Sequence, residues 1–247
     1  MQVLGITHFF NMVFGPLFAA LMGLVGVAPI KPGAPINDAY ALEMLVAFGL
    51  LAFFVIVRLT LSVENPAPVQ QVAEMVHGFT GDMGEQVIGH GFERFQAFST
   101  CVLLFIVFNN LIGLLSGWIP GVVTPTGQPV VPLGVAVLVF LYYNFHGFRA
   151  QGAVNYIKHF AGPFWWLAWL MFPIEVVSHL ARMMSLTIRL YANMLASDLL
   201  TLVFFSLVPL AIPSIFLGLH FFVSLIQAFV FFLLTLIYLS LAVAHEH

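Results

Sequence analysis

Charge is what this chain has least of. Only 7% of its 247 residues are Asp, Glu, Lys or Arg, against about 25% in an ordinary soluble domain. That shortage excludes a solvated globular surface. Cysteine occurs once, as Cys101 inside an apolar run, so an internal disulfide is impossible and no thiol-metal site is suggested. The formal net charge of −3 leaves no basic footprint for nucleic acid and no polybasic lipid anchor. No HExxH, GxSxG or P-loop pattern occurs, so neither a hydrolase site, a nucleotide site nor a cofactor is expected. An internal repeat, common in transporters, is also missing.

What is there instead is apolar bulk. Hydrophobic residues make up 62% of the chain, and the mean hydropathy is +1.06. The fold class this implies is an all-α polytopic membrane protein. Residues 41–61, 97–117 and 130–148 each match the roughly 20 residues that a crossing helix needs. The region 164–244 is one long apolar stretch broken chiefly by Pro209 and Pro213, where a helix cannot continue. It divides into helices of about 172–207 and 214–244. At about 1.5 Å per residue these are roughly 54 and 46 Å long, against a hydrocarbon core of about 30 Å. A steeply tilted helical hairpin follows, lying across a neighbour with several parallel helices. That makes five transmembrane helices in a membrane domain spanning 38–247.

Two further helices are expected outside the spans. Residues 1–37 form a separate N-terminal segment in which Gly15-Pro16, Gly23 and Gly26 interrupt an apolar run. A short helix in the outer interface is the expectation, with a sixth span as the alternative. Within 66–90, Val69, Val72, Met75, Val76 and Phe79 recur at helical spacing and suggest an amphipathic cytoplasmic helix. Basic residues orient the whole. Arg58 and Arg94 flank one loop, Arg149 and Lys158 another, while 118–129 has no Lys or Arg. The positive-inside rule puts 62–96 and 149–163 in the cytoplasm, the N-terminus outside and the C-terminus inside.

Against this background Arg189 is the most informative residue. Its guanidinium stays charged at any accessible pH, and at mid-bilayer it costs at least about 2.5–3.5 kcal/mol on insertion scales. Such a cation faces a protein partner, a water-filled cavity or an ion path. Glu175, Arg182 and Arg189 recur at i, i+7 and i+14, with Asn193 one turn on, so they share a helix face. Asp198 falls about 13 Å further along and on the opposite face; Glu175 falls about 21 Å the other way. On the last helix His220, Ser224 and Gln227 form a stripe. An antiparallel hairpin sets 198 and 220 at one depth, 189 and 227 at another. Carboxylates and imidazoles exchange protons within the pH range a cell visits; an arginine does not, but it repels cations and attracts a carboxylate. Two acid-lined half-paths separated by Arg189 would block a leak and force each proton onto a mobile carboxylate. This chain has none to spare, so the carrier belongs to a partner. The blander readings are a structural ion pair for Arg189, a structural or snorkelling Arg182, and a hydrogen-bonded helix contact for His220. His179 fits either role. Asn109, Asn110 and Ser116 read as interhelical hydrogen bonds, His245 and His247 as solvated. Trp165, Trp166 and Trp169 read as an interfacial belt.

Ser185-Leu-Thr-Ile-Arg-Leu-Tyr-Ala-Asn-Met194 followed by Ala196-Ser-Asp-Leu199 resembles the signature helix of the subunit a family of F-type ATP synthases. Asn110-Leu-Ile-Gly-Leu-Leu-Ser-Gly117, Leu225-Ile-Gln-Ala-Phe-Val-Phe231 and Leu236-Ile-Tyr-Leu239 resemble two further elements of it, in order, over roughly 38–247. Ser116 stands where the family usually has Pro, and Asp198 where many members have Glu, a longer reach to His220. The resemblance implies a stator subunit in a bacterial inner membrane, not catalytic alone, working with a ring of c subunits, peripheral-stalk b subunits and membrane lipid. It implies that Arg189 faces the ring, that Asn193, Asp198, His220 and Gln227 line the outer half-channel, and that Glu175 and Ser178 line the inner one. A secondary transporter or ion channel using the same polar stripe is the alternative.

Overall fold

The computed structural model describes residues 5–25, 34–89, 91–115, 124–152, 168–207 and 211–243. Among these there are seven α-helices and no strand: α1 Gly5–Val25, α2 Asp38–Leu59, α3 Pro68–Ile88, α4 Glu93–Ile112, α5 Val130–Gln151, α6 Ala168–Leu207 and α7 Ala211–Val243. Short 3₁₀ turns at Gly113–Leu115 and Pro125–Gly127 bracket the connection after α4. All except α3 are long and apolar enough to cross a membrane, including the five spans expected and α1. Of the earlier readings, those on Ser116, Lys158, Trp165, Trp166, Pro209, His245 and His247 lie outside the described residues.

The long final helices follow from an apolar sequence with few breakers. α6 runs 40 residues and α7 runs 33, about 60 and 50 Å at the α-helical rise. Pro213, expected to precede α7, lies within its first turn, where a missing N–H has no intrahelical partner to lose. Gly15-Pro16 likewise does not interrupt α1, which is continuous with Pro16 inside it.

The chain divides into two compact units, each assembled from separated stretches of sequence. The first comprises residues 1–60, 104–128 and 192–226. In it α1 is fastened to the start of α2. Asn37 caps α2 by accepting from the Tyr40 N–H, and the Asn11 side chain both accepts from and donates to the Ile36 backbone, at 3.0 and 2.9 Å. Thr7 donates to Asp38 at 2.5 Å. Phe10, Ile36 and Ala41 close a small core beneath these bonds.

The second unit comprises residues 61–103, 129–191 and 227–247. Its α3 is amphipathic, as its spacing predicts, but the polar edge is the one that packs. Gln70, Thr80 and Gly84 are buried, with Thr80 bonded to Thr100 of α4 at 2.8 Å and Gln96 donating to the His77 carbonyl at 2.7 Å. Val69, Val72, Met75 and Phe79 point outward and exposed. In a soluble protein that inversion would be costly; against hydrocarbon it removes an apolar face from water.

Candidate functional site

The first unit gathers its polar side chains around Asp198. His220 Nδ1 stands 3.8 Å from Asp198 Oδ1, with His220 1% exposed. The shorter side chain of Asp thus still brings its carboxylate to ion-pair distance of the imidazole. Thr124 donates a 2.7 Å hydrogen bond to the same carboxylate oxygen. Close by in sequence, Thr126 donates to Asn110 Oδ1 at 2.6 Å, and Asn110 Nδ2 donates to the Ser224 carbonyl on α7 at 3.2 Å. Ser224 Oγ lies 3.9 Å from the Met194 sulfur. Asn110 is therefore the interhelical hydrogen bond expected of it. Asn109 bonds its own helix at Phe105 instead, leaving its buried Oδ1 without a partner among the described residues.

Gly113 is the spacer that lets this cluster close. A methyl group on its Cα would collide with Thr124 Oγ1 and come within 2.9 Å of His220 Nε2. That nitrogen is buried and has no hydrogen-bond partner among the described residues. Thr124, Thr126 and Gly113 were not singled out by sequence reasoning. The loop 118–129 drew attention only for its lack of basic residues, although Thr124-Pro-Thr-Gly127 is a turn signal. Asn193 is half-buried and makes no hydrogen bond among the described residues.

In the second unit α6 and α7 carry the remaining candidates. Glu175 Oε1 is 3.4 Å from His179 Nε2 one turn on, and His179 Nδ1 is 2.9 Å from the Tyr143 hydroxyl of α5. Ser178 lies between them in sequence, half-buried. Arg182 stands over the Tyr238 ring at 5.7 Å, a cation–π distance. Arg189 is different. It is exposed and makes no hydrogen bond or ion pair among the described residues. With Gln227 it lines a small pocket whose other walls are Leu186, Leu190, Val230, Phe231 and Leu234. The structure thus brings together Asp198 with His220, Glu175 with His179, and Arg189 with Gln227. Among the described residues no group of three His, Cys, Asp or Glu side chains is placed to hold a metal ion.

Comparison with known proteins identifies the family. The chain is 46% identical to the ATP synthase subunit a of Koribacter versatilis, covering 98% of this chain and 97% of that one. It is 46% identical to the subunit of the same name from Solibacter usitatus, covering 92% and 95%. To that of Sulfurimonas denitrificans it is 38% identical, covering 84% and 91%. The family described as the ATP synthase A chain matches residues 40–240. With that family model matching most of its length and relatives of the same name 46% identical over nearly all of it, this chain belongs to the ATP synthase A chain family.

Proposed function

We propose that this chain is the stator subunit that passes protons to and from a rotating ring of c subunits, with Arg189 keeping two half-paths apart. Its coarser role follows from the family: a multi-pass bacterial membrane subunit of an ATP synthase, serving proton transport and ATP synthesis and not catalytic by itself. On the finer reading, a proton from outside is taken up near Asp198 and His220, along a path that Asn193 helps to line. It neutralises a ring carboxylate, rides the ring and leaves past Glu175 and Ser178. Gln227 shares the Arg189 pocket, and Arg182 braces the inner side against Tyr238. Each charge moved down 100 mV releases about 2.3 kcal/mol, so several are coupled to each ATP.

One observation carries this reading: Arg189 is an exposed, permanently charged side chain on a membrane-length helix, unpaired among the described residues. A charge left that way in lipid is expensive, and a carboxylate on a neighbouring molecule removes the expense. The orientation proposed places 62–67 in the cytoplasm and the connection before α5 outside. The peripheral-stalk b subunits are the remaining proposed partner.

The test is Arg189→Ala in the assembled complex. Proton-driven ATP synthesis in membrane vesicles should vanish, with a passive proton leak gained once the catalytic head is stripped. Arg189→Lys should fail too, because a compact ammonium does not reproduce the planar, delocalised guanidinium. Normal synthesis in either variant would sink the assignment.

A further inference from the structure

The inference rests on the half-path reading and deepens it at a residue that reading leaves unused. His179 has partners at both ring nitrogens: Nε2 lies 3.4 Å from Glu175 Oε1 and Nδ1 lies 2.9 Å from the Tyr143 hydroxyl. Exposure falls along the row. The Glu175 side chain is 33% exposed and that of His179 12%, while Tyr143 is 3% exposed. The row leads from a reachable carboxylate to a buried phenol, and Tyr143 in turn packs on Tyr238 at 5.9 Å, beneath Arg182. Holding Glu175 in place would take only one ring N–H. The second contact, to a hydroxyl that itself gives and takes protons, is what a relay requires.

We propose that His179 carries protons between Tyr143 and Glu175, so that the inner half-path is a Tyr–His–Glu relay and not a lone carboxylate. In the resting state the imidazole holds its proton on Nε2, facing Glu175, and Nδ1 accepts from Tyr143. On release, Tyr143 gives its hydroxyl proton to Nδ1 as its oxygen receives one from the ring side. Nε2 gives its proton to the Glu175 carboxylate. Counting the O–H bond of the ring carboxyl group that supplies the proton, two O–H bonds and one N–H bond break while two O–H bonds and one N–H bond form. Glu175 then releases that proton to the cytoplasm. Reorientation of the imidazole, presenting its newly protonated nitrogen to Glu175, readies the next transfer.

ATP-driven proton pumping by vesicles holding the complete complex tests this. In His179→Gln the amide keeps a donor and an acceptor but neither gains nor loses a proton. Pumping should fall by about tenfold or more, the lower end of what a placed acid–base group contributes or below, with the complex still assembled. Tyr143→Phe should fall in the same direction. Pumping by His179→Ala should recover in part with added imidazole but not with thiazole, which has a similar shape and is far less basic. Wild-type pumping by His179→Gln, or equal rescue by both heterocycles, would overturn the relay. Glu175→Gln and Arg189→Ala run alongside. If those two lose pumping while His179→Gln keeps it, the relay alone fails; if they keep it, the half-path reading fails with it.

Discussion

The surroundings of Asp198 and of Arg189 are built on opposite plans. Asp198 sits among groups that answer it: a threonine hydroxyl at 2.7 Å, an imidazole at 3.8 Å and a network running on through Asn110 to Ser224. Gly113 is needed to make room for them. Arg189 shares its pocket with one amide and five aliphatic or aromatic side chains, and neither Arg189 nor Gln227 makes a hydrogen bond among the described residues. One cluster pairs Asp198 within the chain, with His220 Nε2 alone of its ring nitrogens lacking a partner among the described residues, so its hydrogen bonds contribute to the fold. The other leaves a full charge without a hydrogen bond or ion pair among the described residues, so little of the fold rests on it. Function and stability should therefore separate at one and coincide at the other.

The sharpest way to break that contrast is at Arg189. Arg189→Ala should abolish coupling, yet thermal unfolding of the purified subunit should move by no more than about 0.5 kcal/mol, as for other exposed substitutions. A large loss of stability would mean that the guanidinium is answered within the chain after all. Asp198→Asn comes next. It keeps the shape and most hydrogen bonds but cannot titrate, so pumping should fall strongly, while Asp198→Glu should retain activity because it titrates over a similar range. Pumping by Asp198→Asn at the parental rate would remove Asp198 from the path.

Smaller effects probe the shell around Asp198. Gly113→Ala should destabilise the chain by about 1–3 kcal/mol through overpacking against Thr124 and His220 and lower pumping with it. Thr124→Val should cost about 1–3 kcal/mol by leaving the carboxylate oxygen short of a donor, and Thr124→Ser should restore most of the loss. Unchanged melting of Thr124→Val would show that its hydroxyl does not hold Asp198. The smallest perturbation tests orientation. In a Cys101-free background, Val130→Cys should react with an impermeant thiol reagent from outside, and Val63→Cys only from the cytoplasm. Both positions are exposed, whereas a side chain at Gly127 would press on Asp198 at 3.2 Å. Gln2→Cys labelled from inside would make α1 a sixth span.

Much of this was legible in the sequence because lipid imposes a plain code. Apolar runs of about 20 residues mean spans, and a cation inside one demands a reason. Periodicity along α6 and α7, with an antiparallel turn between them, was enough to pair Asp198 with His220 and Arg189 with Gln227. The continuity of α1 was not legible, since local breakers such as Gly15-Pro16 are outweighed when the chain at Ile36 folds back onto Asn11. Nor was the part played by Thr124 and Thr126, which stand 74 and 16 residues from their partners. No period connects a loop to helices that far away.

The sequence by itself determined the class, the span lengths and the identity of the charged residues, because hydropathy and helical spacing are local quantities that each segment carries alone. Only the tertiary structure decided which face of α3 packs, which hydroxyl reaches Asp198, why Gly113 cannot carry a methyl group and that Arg189 has no ion-pair partner among the described residues. Those outcomes depend on what stands opposite each side chain, and that is fixed by packing between segments far apart in the chain.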